Sequence, residues 1–222
     1  MIAQHTFDFL KRLEKNNSKD WVNAHRDELD EMKADVVAFA AVLVAEISKF
    51  DAVIAANPPE PKKCVTRLNR DMRYGSDKGP YKTNFYVVVG AQGIQGVAAS
   101  YCVYIEPGQC FVGGGAPNPM GADLLNYRKK VSDNFADFQE IVTSNPFKSL
   151  FPNGITSQSG KVKKRMPRGF EADDPAAEYL KKEGFITREK VTDHDLMTND
   201  GLKKIVKLLR GSQPLVHFLN EQ

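Results

Sequence analysis

The sequence predicts an α+β protein, an antiparallel sheet of about four to five strands with a long N-terminal helix and C-terminal helices packed on it. Three observations carry this reading. Apolar residues recur at helical spacing from Trp21 to Ile47, the period becomes strand-like in the middle third, and the helical period returns after Pro119. Helices, then strands, then helices is the order of an α+β fold rather than an α/β one. At 222 residues the chain reads as a single domain, 1–222. An apolar content of 41% and a charged content of 27% exclude the disordered class.

The elements follow in order. Thr6 is expected to cap a short first helix with Phe7, Leu10 and Leu13 on its apolar side, and "NNS" breaks it. Ser18 or Asn17 then caps a much longer helix ending near Phe50, with an apolar stripe of Trp21, His25, Leu29, Met32, Val36, Phe39, Leu43 and Ile47. "NPPEP" forces an extended loop. "CVTRLNR", "TNFYVVVGA", "GVAASYCVYIEP" and "QCFVGGG" read as three or four strands separated by glycine-containing turns. Alternation in "AASYCVYIE" puts Tyr101, Val103 and Ile105 on one face and Cys102 and Tyr104 on the other.

Beyond Pro119, Leu124, Val131, Phe135, Phe138 and Ile141 mark a helical region that Asp133 or Asn134 divides, with "NPF" as its end. Residues 153–174 form an irregular surface excursion. "DPAAEYLKKEG" reads as a helix from Pro175 to a stop at Gly184, "FITREKV" as an edge strand, and 201–210 and 212–220 as two short closing helices.

Composition also limits function. Cys64, Cys102 and Cys110 form no CxxC pair, so neither a disulfide framework nor a structural zinc site is expected. His5, His25, His194 and His217 are scattered, and "TDHD" at Thr192–Asp195 suits helix capping as well as metal binding. No signal peptide is expected from the opening residues, and the longest apolar run, "VVAFAAVLVAEI", is too short to span a bilayer. The expected setting is cytoplasmic, with no membrane partner.

The net charge of +3 is small, but its distribution is uneven. Lys62, Lys63, Arg67, Arg70, Arg73, Lys78 and Lys82 fall within one segment opposed by Asp71 and Asp77, and "KVKKRMPRG" adds a second basic run without an acid. In "RLNRDMRYGSDKGPYK", a strand places Arg67, Asn69, Asp71 and Arg73 on one face, whereas a helical turn after Leu68 gathers Arg67, Arg70, Arg73 and Tyr74. Either way guanidinium forks converge, and these suit carboxylate or phosphate oxygens. Gly75, Gly79 and Pro80 fold the chain back, bringing Lys78, Tyr81 and Lys82 over the patch. The bland alternative is an internal Arg–Asp network that braces a turn.

This stretch resembles the signature R-x-x-R-D-x-R-F followed by D-K-x-x-Y of a widespread bacterial family called domain of unknown function 2461. The matching residues are Arg67, Arg70, Asp71, Arg73, Asp77, Lys78 and Tyr81, with Tyr74 where the family usually has Phe. "FLKRLEKNNSKDW", "GGGAPNP" and "PLVHFLN" are also similar to the family's pattern, so the resemblance covers nearly the whole chain. It implies one domain of about this length and no established activity.

The expected site is therefore a pocket for a small anionic ligand. Arg67, Arg70, Arg73, Lys78 and Lys82 supply charge, Asp71 and Asp77 orientation or acid–base function, and Tyr81 a hydroxyl donor. "FVGGGAPNP" is a second candidate anion cradle, formed by backbone N–H groups leading into a helix. It lacks the GK[ST] and G-x-G-x-x-G signatures of nucleotide loops. A nucleic-acid binder using both basic segments along one face, and a module that the Arg–Asp network only braces, are the alternatives.

Overall fold

The computed structural model describes residues 1–71, 79–91, 93–95 and 98–221. Helices α1 (Gln4–Lys15), α2 (Lys19–Ala24), α3 (Arg26–Ser48) and α4 (Ala52–Ala56) come first. Strands β1 (Phe85–Val89), β2 (Ser100–Ile105) and β3 (Phe111–Ala116) follow, then α5 (Gly121–Asp133), α6 (Phe135–Thr143), α7 (Asn145–Leu150) and α8 (Ala177–Leu180). The chain closes with β4 (Phe185–Ile186), β5 (Glu189–Lys190), α9 (Asp193–Met197) and α10 (Asn199–Asn220). This is the expected α+β architecture. The sheet is antiparallel in the order β1-β2-β3, and β4 and β5 share the outer edge of β3.

The expected alternation in β2 holds, with Tyr101, Val103 and Ile105 buried and Cys102 and Tyr104 partly exposed. Pairing of β1 with β2 extends the buried row to Phe85, Val87 and Val89. This face meets the helices: α10 packs on β3 and β2, and α3 on β1. The predicted stripe of α3 is likewise buried at Leu29, Met32, Val36, Phe39, Leu43 and Ile47.

Several boundaries differ from the sequence reading. Thr6 lies inside α1, and its hydroxyl donates to Asp35 Oδ2 at 2.6 Å, which also accepts the Ala3 N–H at 2.9 Å. A carboxylate from α3 thus does the work expected of a local cap. Ser18 caps as expected, but the long helix is interrupted at His25, whose ψ is 37°. Its ring stacks on Trp21 with centroids 4.2 Å apart, and Nδ1 lies 2.8 Å from the Trp21 carbonyl oxygen.

Asn134 divides α5 from α6 as expected, whereas "NPF" begins α7, with Ser144 as its cap, instead of ending a helix. The helix expected from Pro175 to Gly184 is a single turn, α8. A Cβ on Gly184 would stand 2.4 Å from the Pro117 carbonyl oxygen, so close backbone approach accounts for that glycine. "TDHD" forms a capping box, with Thr192 and Asp195 each bonding the other's backbone N–H.

The two expected closing helices are one, α10, which continues through Pro214. Ile205, Leu208, Leu209, Leu215, Val216, Phe218 and Leu219 are buried along it. That continuous apolar face outweighs the N–H that proline cannot supply. Among the described residues, no helix is long and apolar enough to cross a membrane.

Candidate functional site

The basic segment lies at the free edge of β1. Val65 bridges to Val87, the Thr66 N–H donates to the Tyr86 carbonyl at 3.0 Å, and Asn69 bridges to Tyr81. The Arg70 N–H donates to Pro80 O at 2.9 Å and the Lys82 N–H to Leu68 O at 2.7 Å. The segment is thus extended and folded back on itself, which decides between the strand and helical alternatives over residues 67–71. Alternation follows: Leu68 is buried, whereas Arg67, Asn69 and Asp71 are exposed.

Asn17, in the turn between α1 and α2, clamps this fold-back. Its side-chain amide donates to the Tyr81 carbonyl at 2.9 Å, and its Oδ1 accepts the Tyr81 N–H at 3.0 Å. Arg70 Nε donates to the same carbonyl at 2.8 Å. Gly79 has φ 71°, and a Cβ there would stand 2.7 Å from the Asn17 side chain, so glycine is required for the approach. Asn17→Ala is expected to lower stability by about 1–3 kcal/mol, because it strips both Tyr81 backbone groups of a partner. Urea denaturation measures this. A loss under a few tenths of a kcal/mol would show that the clamp is dispensable.

Of the eight expected site residues, Arg67, Arg70, Asp71, Tyr81 and Lys82 are described, and Arg73, Asp77 and Lys78 lie outside the described residues. Lys82 is partly buried. Burial, then the charges of Arg70 and Arg67, hold its ammonium below the ordinary lysine range. Among the described residues, neither Lys82 nor Arg67 forms an ion pair.

The triple glycine is not a helix-entry loop. Gly113, Gly114 and Gly115 lie within β3, where an added Cβ would stand 1.9 Å from Thr187 O, 2.5 Å from Ser212 Oγ and 2.0 Å from Phe185 O respectively. They admit neighbouring backbone on one side and α10 on the other, which removes the basis for an anion cradle. The second basic run follows the bridge Thr156–Ile186 and itself bridges to Lys182 through Val162, which places it beyond β4, at the opposite sheet edge from Arg67. Lys161, Lys163, Lys164, Arg165 and Arg168 are exposed.

Two features escaped the residue-by-residue reading. On the sheet face away from α10, Tyr86, Cys102, Phe111, Gln158 and Arg188 border a cavity of about 280 Å³. Alternation already set Cys102 and Tyr104 on this face, but Gln158 and Arg188 arrive from distant segments. Behind the other face, Asp51 is 2% exposed and accepts the Tyr101 hydroxyl at 2.6 Å. His217 Nε2 lies 3.0 Å from the same carboxylate oxygen.

Fold and site together define an α+β protein that holds a basic hairpin at one edge of an antiparallel sheet. Residues 5–218 match the family model described as a conserved hypothetical protein, DUF2461, and the chain belongs to that family. No curated protein and no solved structure matches the chain.

Proposed function

We propose that the protein binds a small anionic ligand, phosphate- or carboxylate-bearing, at the hairpin. Arg67, Arg70 and Lys82 supply the charge, and Tyr81 lies beside them, held by Asn17 and Arg70. Arg73, Asp77 and Lys78 complete the set by sequence, and Asp71 orients the guanidinium groups. One observation carries this reading: a partly buried lysine, Lys82, feels the charges of Arg70 and Arg67 and has no ion pair among the described residues. Burial and neighbouring like charges, which disfavour the charged form of a lysine, are relieved by an anion. The two basic segments stand at opposite sheet edges, which favours a compact ligand over a nucleic-acid backbone tracked along one face.

Thermal unfolding with inorganic phosphate, nucleotides, sugar phosphates, dicarboxylates and short oligonucleotides, at two salt concentrations, tests the proposal. A ligand at one hundred times its Kd stabilises by about 2.7 kcal/mol. For a chain of this size that raises the midpoint by roughly 5–10 °C. The expected result is a saturable rise with one small anion, lost in Arg70→Ala. Because Arg70 also holds Tyr81, Lys82→Gln is the companion variant and is expected to weaken the same response. No rise with any small anion, or a rise that both variants retain, would overturn the proposal.

A further inference from the structure

The open face of the sheet carries a hollow that its register helps to place. Across one row stand Val88, Cys102 and Gly113, and across the next Tyr86, Tyr104 and Phe111. Beside these rings, the backbone of Gly113 and the Thr187 backbone packed against it border the hollow. Tyr86 and Tyr104 have centroids 4.6 Å apart, and Tyr104 stacks on Phe111 at 4.7 Å. The hollow is the cavity of about 280 Å³. Small-molecule sites span roughly 300–1,000 Å³, so this one is of single-ring size.

Among the described residues, Thr66, Ser100, Gln158, Thr187 and Arg188 bring polar side chains to its lining. Arg188 lies with its guanidinium carbon 4.1 Å from the Phe111 centroid and is exposed at the rim. Among the described residues it has no hydrogen bond or ion pair. Gln158 donates its amide to the Tyr86 hydroxyl at 3.4 Å. Among the described residues, no Asp or Glu lines the cavity. Glu106, whose charge reaches Tyr86, is engaged by the hydroxyls of Tyr104 at 2.7 Å and Thr83 at 3.3 Å. Burial pushes the Cys102 thiol up to about 12, so it lines the floor as a neutral group.

A hollow floored by thiol and glycine, walled by aromatic rings and, among the described residues, served by one cation with no lining acid is complementary to a ring bearing one negative group. We infer that this cavity binds a small monocarboxylate with a single-ring body, the ring between Tyr86, Phe111 and Cys102 and the carboxylate on Arg188. Arginine's planar fork is suited to that group. The inference does not rest on the hairpin site: the two are read by different ligands and different variants.

The test is titration of the full chain with benzoate and with its neutral isostere benzamide, followed by NMR of methyl-labelled protein. Benzoate is expected to bind saturably, to shift the methyl signals of Val88 and Ile186, and to bind at least about tenfold more tightly than benzamide, the scale of one charge-assisted hydrogen bond. Arg188→Gln is expected to remove that preference. Equal affinity for acid and amide, undiminished benzoate binding by Arg188→Gln, shifts confined to other methyl groups, or no saturable binding up to about 10 mM would each overturn the assignment. The acid–amide ratio and the methyl shifts are measured on the unaltered chain, so they decide the question even if the variant folds poorly.

Discussion

Asp51→Ala is expected to destabilise the protein by about 3–5 kcal/mol, the cost of removing one partner from a buried charged network. Asp51 sits at the N-terminus of α4, where its Oδ1 accepts the N–H groups of Val53 at 2.9 Å and Ile54 at 3.2 Å. Its Oδ2 takes the Tyr101 hydroxyl at 2.6 Å and faces His217 Nε2 at 3.0 Å. An ionised carboxylate only accepts, so that histidine nitrogen carries the proton. Truncation leaves the buried Tyr101 hydroxyl and two backbone donors without a partner. At roughly 2–4 °C per kcal/mol for a chain of this size, the melting midpoint falls by about 10 °C.

The same carboxylate gives stability an acid limb. Burial raises its proton affinity, but the hydrogen bonds from Tyr101, His217 and the Ile54 N–H outweigh burial, and its pKa lies below the ordinary aspartate value. A group whose folded pKa is depressed stabilises the fold above its unfolded pKa, about 3.9, and loses that contribution as pH falls through the folded value. Stability is therefore expected to decline on acidification below about pH 4, with a shallower decline in Asp51→Asn. Denaturant midpoints between pH 2.5 and 6 measure it. Parallel curves for wild type and variant would remove Asp51 from the account.

The second large effect is at Gly115. Its φ is 126°, and a Cβ there would stand 2.0 Å from the Phe185 carbonyl oxygen and 3.0 Å from Ile186 Cα. Both obstacles are backbone and cannot rotate away. Gly115→Ala combines a backbone conformation that side chains resist with overpacking at a strand pair, for a loss of about 3 kcal/mol or more. Gly108, with φ 74° and open space around it, is the control, expected to cost about 1–2 kcal/mol as alanine. Equal losses at the two positions would show that conformation alone, and not the approach of β4, requires glycine in β3.

What the sequence determined by itself was local and periodic. The buried row of β2, the stripe of α3, the Ser18 cap and the break at Asn134 depend on neighbours a few residues away, and side-chain period reports them directly. The fold-back at Gly79–Lys82 was legible for the same reason, as a turn beside a charged strand. Tertiary structure decided whatever depended on distant partners. Thr6 lost its capping role because Asp35 does that work from α3, and α10 runs through Pro214 because the sheet buries its whole face. The glycines of β3 answer to Thr187, Ser212 and Phe185, and Asp51 answers to a histidine 166 positions away. Gln158 and Arg188 reach the open face only because their segments return to the sheet beyond β3. Local pattern reports which face a residue presents, but only packing brings the groups that meet it there.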